Sequence, residues 1–207
     1  MQVFFDFDGP ILDCSVKYHN LYKRLLAEQG YEAIALYEYW QKKRDRWKDI
    51  EIAALTASND FLNRYQELRQ QLIEDQETLK DDKMWPHVPE MLEQLTSNYE
   101  VNLVTLRNRR STLLPQLDAL GIRDHFTHIL SEDNNEGTYA TKVELVKPHL
   151  KSKALIIGDT EVDILAGRDL GIQTLAVTCG MRNADHLRTL NPDAILASSK
   201  EIFDHLP

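Results

Sequence analysis

The sequence predicts an α/β fold, a parallel sheet covered by helices on both faces and interrupted near its start by an inserted helical domain. Three observations carry this expectation. Short β-prone runs alternate with helical stretches after residue 85, a pattern that calls for parallel pairing with right-handed crossovers. A single β-prone run stands alone at the amino terminus. Between the two, residues 31–84 are nearly free of Gly and Pro, rich in Gln, Glu, Lys and Arg, and periodic at helical spacing.

The elements follow in order. Residues 2–6, Gln-Val-Phe-Phe-Asp, make a short buried strand ending in an acidic turn. Asp13 or Ser15 can cap the next helix, whose apolar positions are Tyr18, Leu21, Tyr22, Leu25 and Leu26 and whose left-handed stop is Gly30. Phe61, Leu62, Tyr65, Leu68 and Leu72 mark a helical face further on, and no strand is expected before residue 85. The chain therefore divides into a core of residues 1–14 and 85–207 and a helical insert of residues 15–84. After Pro86 and Pro89 the pattern gives a helix to Ser97, a strand at 101–105, a helix ending at Gly121 and a strand at 127–131. A polar loop at 132–138 leads to a helix from about Lys142, a strand at 154–158, a helix at 161–170 stopped by Gly171 and a strand at 173–177. Such a Rossmann-like sheet binds ligands outside the carboxyl ends of its strands, where strand order reverses.

Composition narrows the function. With 207 residues, 43% hydrophobic and 28% charged, the chain is neither disordered, collagenous nor a small disulfide scaffold. A chain of this length buries roughly 70% of its unfolded surface, so it needs no metal merely to fold, and a metal would serve chemistry. The 24 Lys and Arg against 33 Asp and Glu leave a net charge of -9, which argues against extended nucleic-acid contact. Cys14 and Cys179 form no CxxC pair and read as reduced thiols. Three apolar residues before Asp6 do not make a signal peptide, and no run approaches the ~20 apolar residues of a membrane span. A cytoplasmic protein with neither membrane nor nucleic-acid partners is expected.

Unusual polar residues mark four strand or loop ends that should open on one edge of the sheet. The first strand runs into DFDGPILD, with Asp6 and Asp8 on the same side and Gly9 allowing a sharp turn. The second ends at Thr105 within LVTLRN, which also places Leu106, Arg107 and Asn108 at the mouth. Lys142 precedes the fourth strand, and GDTEVDI follows it with Asp159 at the tip and Asp163 one helical turn on. Carboxylates so gathered repel by about 4 kcal/mol per pair at ~4 Å and an effective dielectric of 20, so a cation is required. All-oxygen ligands favour Mg2+. Mg2+ beside Lys142 and the Thr105 hydroxyl suits a phosphoryl group, which a free carboxylate can attack in line to give an aspartyl phosphate.

These four motifs, in this order along the whole chain, resemble those of the haloacid dehalogenase-like hydrolase superfamily, whose members are mostly Mg2+-dependent phosphatases. The resemblance implies that Asp6 is the nucleophile and Asp8 the general acid and base. It implies that Thr105 and Lys142 hold phosphate, with Leu106 and Arg107 beside them in the substrate site. Asp159 would bind Mg2+ with Asp6 and the Asp8 carbonyl, and Asp163 would bind or orient from behind. The insert resembles the family's type-one cap, a lid over the site. A small phosphorylated metabolite is the expected substrate. A phosphomutase of the β-phosphoglucomutase type shares every one of these residues; a haloacid dehalogenase would need neither Asp8 nor Asp159; a non-catalytic phosphate-binding module would keep the pocket without turnover. Two departures stand out. Pro10 replaces the usual Thr or Val. Lys147-Pro148 imitates a family pair, but Lys142 leaves room for a helix, a turn and a strand before Asp159 and is preferred.

Other charges have plainer readings. Asp13 reads as a helix cap, and Asp163 by itself could be a first-turn acid that complements the helix dipole. The run Lys42, Lys43, Arg44 and Arg46, with Trp40 and Trp47, reads as a solvated helix face.

Overall fold

The structure is a computed structural model and describes residues 1–151 and 153–207. The chain forms two compact units, one of Met1–Asp13 with Met84–Pro207 and one of Cys14–Lys83.

The first unit is built on a six-stranded parallel sheet. Its strands are β1 (Gln2–Phe5), β4 (Glu100–Val104), β5 (His128–Leu130), β6 (Ala154–Gly158), β7 (Gln173–Val177) and β8 (Ala194–Leu196). Two-residue strands, β2 (Leu12–Asp13) and β3 (Lys83–Met84), flank the insertion. The order β5-β4-β1-β6-β7-β8 puts β1 in the middle, with later strands added first on one side and then on the other. Strand order therefore reverses around β1, and the crevice at the carboxyl ends of β1, β4 and β6 is the place where such sheets hold ligands. All four residues of β1 and all five of β6 are buried, as expected of central strands covered on both faces. Phe4, Val104, Leu130, Val146 and Ile156 make one part of this core, each fully buried side chain contributing about 1.5–3 kcal/mol.

Helices α6 (Val88–Thr96), α7 (Arg110–Ala119), α8 (Tyr139–Val146), α9 (Glu161–Leu170) and α10 (Ala184–Thr189) cover the sheet. The sequence patterns do not reveal α10, β8 or the closing 3-10 turn Ser199–His205, because a six-residue helix and a three-residue strand are too short to show a period. Residues 83–84, expected to be helical, are extended as β3.

The second unit is helical: α1 (Ser15–Ala27), α2 (Leu36–Arg44), α3 (Asp49–Ala53), α4 (Asn59–Leu72) and α5 (Gln76–Leu79). Cys14, rather than Asp13 or Ser15, occupies the cap position of α1. That helix ends before Gly30, which takes a left-handed φ of 76° while the Tyr31 N–H donates back to the Leu26 carbonyl. Leu21, Tyr22, Leu25, Leu26, Tyr39, Ile52, Phe61 and Tyr65 form its core, with Tyr22 and Tyr39 stacked at 4.8 Å between ring centroids.

One expectation fails in this unit. Lys43 does not lie on a solvated face; it is buried and donates to Asp49 at 2.8 Å. Asp49 also accepts from the Tyr39 hydroxyl at 2.6 Å and pairs with Arg69 at 3.0 Å. Burial alone would raise the Asp49 carboxyl, but Arg69 and Lys43 hold it below the ordinary carboxylate range. Lys42 is partly exposed and lies over the Trp47 ring at 4.5 Å. Cys14 and Cys179 are not joined in a disulfide, and among the described residues no helix is long and apolar enough to cross a membrane.

Candidate active site

Asp6 follows β1 directly, and its N–H still donates to the Ile157 carbonyl of β6 at 2.9 Å, which fixes the residue at the mouth of the central strands. Asp159 follows β6. Its carboxylate accepts from the Met181 N–H at 2.5 Å. Asp163 lies in the first turn of α9 and serves two partners. One oxygen accepts from the Thr160 N–H (3.1 Å) and hydroxyl (2.9 Å), closing the helix's capping box, and the other accepts from Lys142 Nζ at 2.5 Å. Asp163 is thus a first-turn acid of α9 that also lies beside Asp6 and Asp159.

Three glycines make room for these carboxylates; at Gly180 a Cβ would stand 2.1 Å from Asp159 Oδ2, and Gly9 and Gly158 are similarly close. Gly9 has a φ of 103°, and a Cβ there would stand 2.3 Å from the Asp159 carboxyl carbon; a Cβ on Gly158 would stand 1.9 Å from that of Asp163. No side chain fits at any of these positions.

Lys142 comes from α8, whose start at Tyr139 is capped by the Thr138 hydroxyl. It is 1% exposed and bridges Asp163 and Asp6, the latter at 3.0 Å. Lys147 lies in the next turn and is exposed, whereas Lys142 is the lysine buried beside Asp6 and Asp163. Thr105 is buried one residue past β4, its N–H donating to the Leu130 carbonyl and its hydroxyl accepting from the Arg107 N–H at 3.3 Å. Leu106 is half-buried, and its carbonyl accepts from Asn135.

Asp8 departs from the cluster. Its carboxylate is engaged by Arg107, with Nε donating to Oδ2 at 3.2 Å and Nη2 to Oδ1 at 2.5 Å. The guanidinium also donates to Gln116 Oε1 on α7 and lies 4.6 Å from the centre of the Phe7 ring. The loop beyond Asp8 is held by its carbonyls. Trp85 donates to Gly9 through Nε1 at 2.8 Å and to Ile11 through its backbone N–H at 3.1 Å. The Ser199 hydroxyl donates to the Pro10 carbonyl at 2.6 Å and therefore accepts from His87 Nε2, 2.9 Å away. Pro10 loses its own N–H, but its carbonyl is firmly bound.

Oxygens of Asp6, Asp159 and Asp163 lie within 4.8 Å of one another. Burial, reinforced by Asp163 and Asp8 and opposed by Lys142, pushes the Asp6 carboxyl up to about 7. Burial, then Asp6 and Asp163, pushes Asp159 well above the ordinary range against the pull of the Met181 N–H. Burial would lower the Lys142 ammonium, yet Asp163 and Asp6 keep it above its usual value. One lysine does not neutralise three carboxylates. An all-oxygen set of this kind, too acidic for its own counter-charge, fits a hard divalent cation.

Sequence reasoning finds the acidic tips but misses the Met181 N–H, Gln116 and the Trp85–Ser199 clamp. A backbone donor carries no residue signature, and the others gain meaning only from contacts made across the fold. The aromatic Phe7 between two aspartates was the available hint of a stacked cation.

Comparison with known proteins agrees with this geometry. Residues 3–177 match the model of the haloacid dehalogenase-like hydrolase family. A phosphoglycolate phosphatase from Vibrio parahaemolyticus is 26% identical over 97% of this chain and 93% of its own length. The pyrophosphatase PpaX of Oceanobacillus iheyensis is 27% identical over 58% of each chain, so this match spans little more than half of that protein. A haloacid dehalogenase-like family hydrolase from Streptococcus pneumoniae superposes with a TM-score of 0.80 at 24% identity, over 99% of this chain and 97% of that one, which speaks for the fold. With a family match running from β1 through β7 and acidic residues at the strand ends where the fold holds ligands, the chain belongs to the haloacid dehalogenase-like hydrolases.

Proposed function

We propose that the protein is a Mg2+-dependent phosphatase that cleaves a small phosphorylated metabolite through a phosphoryl-Asp6 intermediate. The observation that carries this reading is the pairing of Asp6 with Lys142 at 3.0 Å inside a group of three carboxylates within 4.8 Å. Relatives named phosphoglycolate phosphatase and pyrophosphatase support it. Asp6, Asp159 and the Asp8 carbonyl would hold the ion, with Asp163 orienting from behind. Bound there, Mg2+ supplies positive charge that offsets the carboxylates and the phosphoryl oxygens.

Asp6 attacks phosphorus in line as the bond to the leaving oxygen breaks, while Asp8 gives that oxygen a proton. Lys142 and Thr105 hold the transferred group. Asp8 then takes a proton from water, whose oxygen bonds to phosphorus as the Asp6–phosphorus linkage opens and inorganic phosphate departs. The helical unit serves as the cap and carries the choice of substrate, since the chain enters it directly after the catalytic loop.

The test is a panel of phosphate esters, including phosphoglycolate, together with pyrophosphate, assayed with Mg2+ and with EDTA. Turnover should require the metal, and Asp6→Asn should lower kcat by about 10³-fold or more while the protein stays folded. Retention of a tenth of the rate by that variant would remove Asp6 from its role. Activity indifferent to EDTA would remove Mg2+ from the reaction.

A further inference from the structure

We propose that Arg107 is a positioning residue that holds Asp8 as the proton acceptor of the second half-reaction, and is not a ligand of the substrate phosphate. The proposal rests on the phosphatase reading above. Arg107 follows the motif threonine by two residues, where a cation would be expected to reach out to substrate. Its guanidinium instead turns inward. The residue is 5% exposed, and each guanidinium nitrogen is engaged: Nε and Nη2 fork onto the two Asp8 oxygens, and Nη1 donates to Gln116. The Phe7 ring, 4.6 Å away, covers the guanidinium, and the Arg107 N–H ties its backbone to the Thr105 hydroxyl.

A planar guanidinium fixed by a ring, an amide and a two-point fork sets the plane of the carboxylate it meets, which an ammonium cannot do. A carboxylate forked at both oxygens is fixed in plane and position, so its remaining lone pairs point in set directions. An acceptor is what water needs when it attacks phosphoryl-Asp6. The water oxygen bonds to phosphorus, its proton passes to Asp8, the Asp6–phosphorus linkage breaks with its electron pair returning to the Asp6 carboxylate, and inorganic phosphate leaves.

p-Nitrophenyl phosphate isolates this half. Its leaving group departs as a phenolate without a proton, so Asp8 matters only after the phosphoryl group has moved to Asp6. Arg107→Met should therefore lower kcat by about 10- to 10²-fold, with KM falling in parallel and kcat/KM changing less than about threefold. Stopped-flow should show a burst of one equivalent of p-nitrophenolate per enzyme. Arg107→Lys, which keeps the charge but loses the fork, should remain impaired. Gln116→Leu removes only the edge support and should give the same split at about three- to tenfold; it carries the test if Arg107→Met does not fold. A raised KM with unchanged kcat and no burst in these variants would make Arg107 a phosphate ligand and overturn the proposal, as would full recovery of kcat by lysine. Wild-type protein inert towards every phosphate compound would instead remove the phosphatase reading itself, and this assignment with it.

Discussion

In the helical unit one buried carboxylate, Asp49, meets Lys43, Arg69 and the Tyr39 hydroxyl. In the sheet unit three carboxylates, Asp6, Asp159 and Asp163, lie together, and Lys142 pairs with two of them, Asp6 and Asp163. Both groups are largely enclosed and hydrogen-bonded, yet the Asp49 carboxyl shifts in the opposite direction to those of Asp6 and Asp159. Asp49 is held low because cations outnumber it; Asp6 and Asp159 are pushed up because burial and their neighbours' charge outweigh Lys142. The first arrangement is complete with protein atoms alone and orders a fold. The second is short of positive charge, the electrostatic condition of a site made for a cation.

The contrast can be broken most forcefully from the helical side. Asp49→Ala leaves the buried Lys43 and the half-buried Arg69 without their anion, and should destabilise the helical unit by about 3–5 kcal/mol in a denaturant titration. A loss below about 1 kcal/mol would mean that Asp49 is not the centre of that cluster.

The next effect comes from the metal. A carboxyl whose folded pKa is raised contributes stability that is complete below its unfolded value and is lost as pH rises through the folded one. For Asp6 that window runs from 3.8 to about 7, and Asp159 shifts in the same direction. The metal-free protein should thus lose stability across this range, while Mg2+, binding the carboxylate form, should restore it. At a hundred times its dissociation constant the ion adds about 2.7 kcal/mol, so its effect on Tm should be larger at pH 8 than at pH 5. Equal shifts at both pH values would count against a carboxylate-bound ion.

The smallest effect has the most informative sign. Asp159→Asn removes one of several like charges and should leave the metal-free protein unchanged or up to ~1 kcal/mol more stable, while abolishing the Mg2+ response. A clear loss of stability would show that Asp159, like Asp49, is chiefly a structural group.

The same contrast explains what could be read from the residues in advance. Asp6, Asp159 and Asp163 were legible because each sits within a few positions of a strand end, and local pattern reports strand ends. Lys142 could be preferred to Lys147 because a helix, a turn and a strand need a minimum length of chain. Lys43 could not be placed: the partner that buries it belongs to another helix, and a run of basic residues looks alike whether solvated or paired. The fork of Arg107 on Asp8 was hidden for the same reason, since it joins β4's loop to β1's across 99 positions. The closing elements α10 and β8 were lost to their brevity.

The hydrogen bond from Ser199 to the Pro10 carbonyl spans 189 positions, from the closing 3-10 turn to the loop just beyond Asp8. The turn that carries Ser199 therefore braces the loop beside the candidate site. Proteolytic trimming behind residue 198, or an affinity tag that pulls on this turn, would be felt by the enzyme as an active-site lesion although every motif residue remained intact.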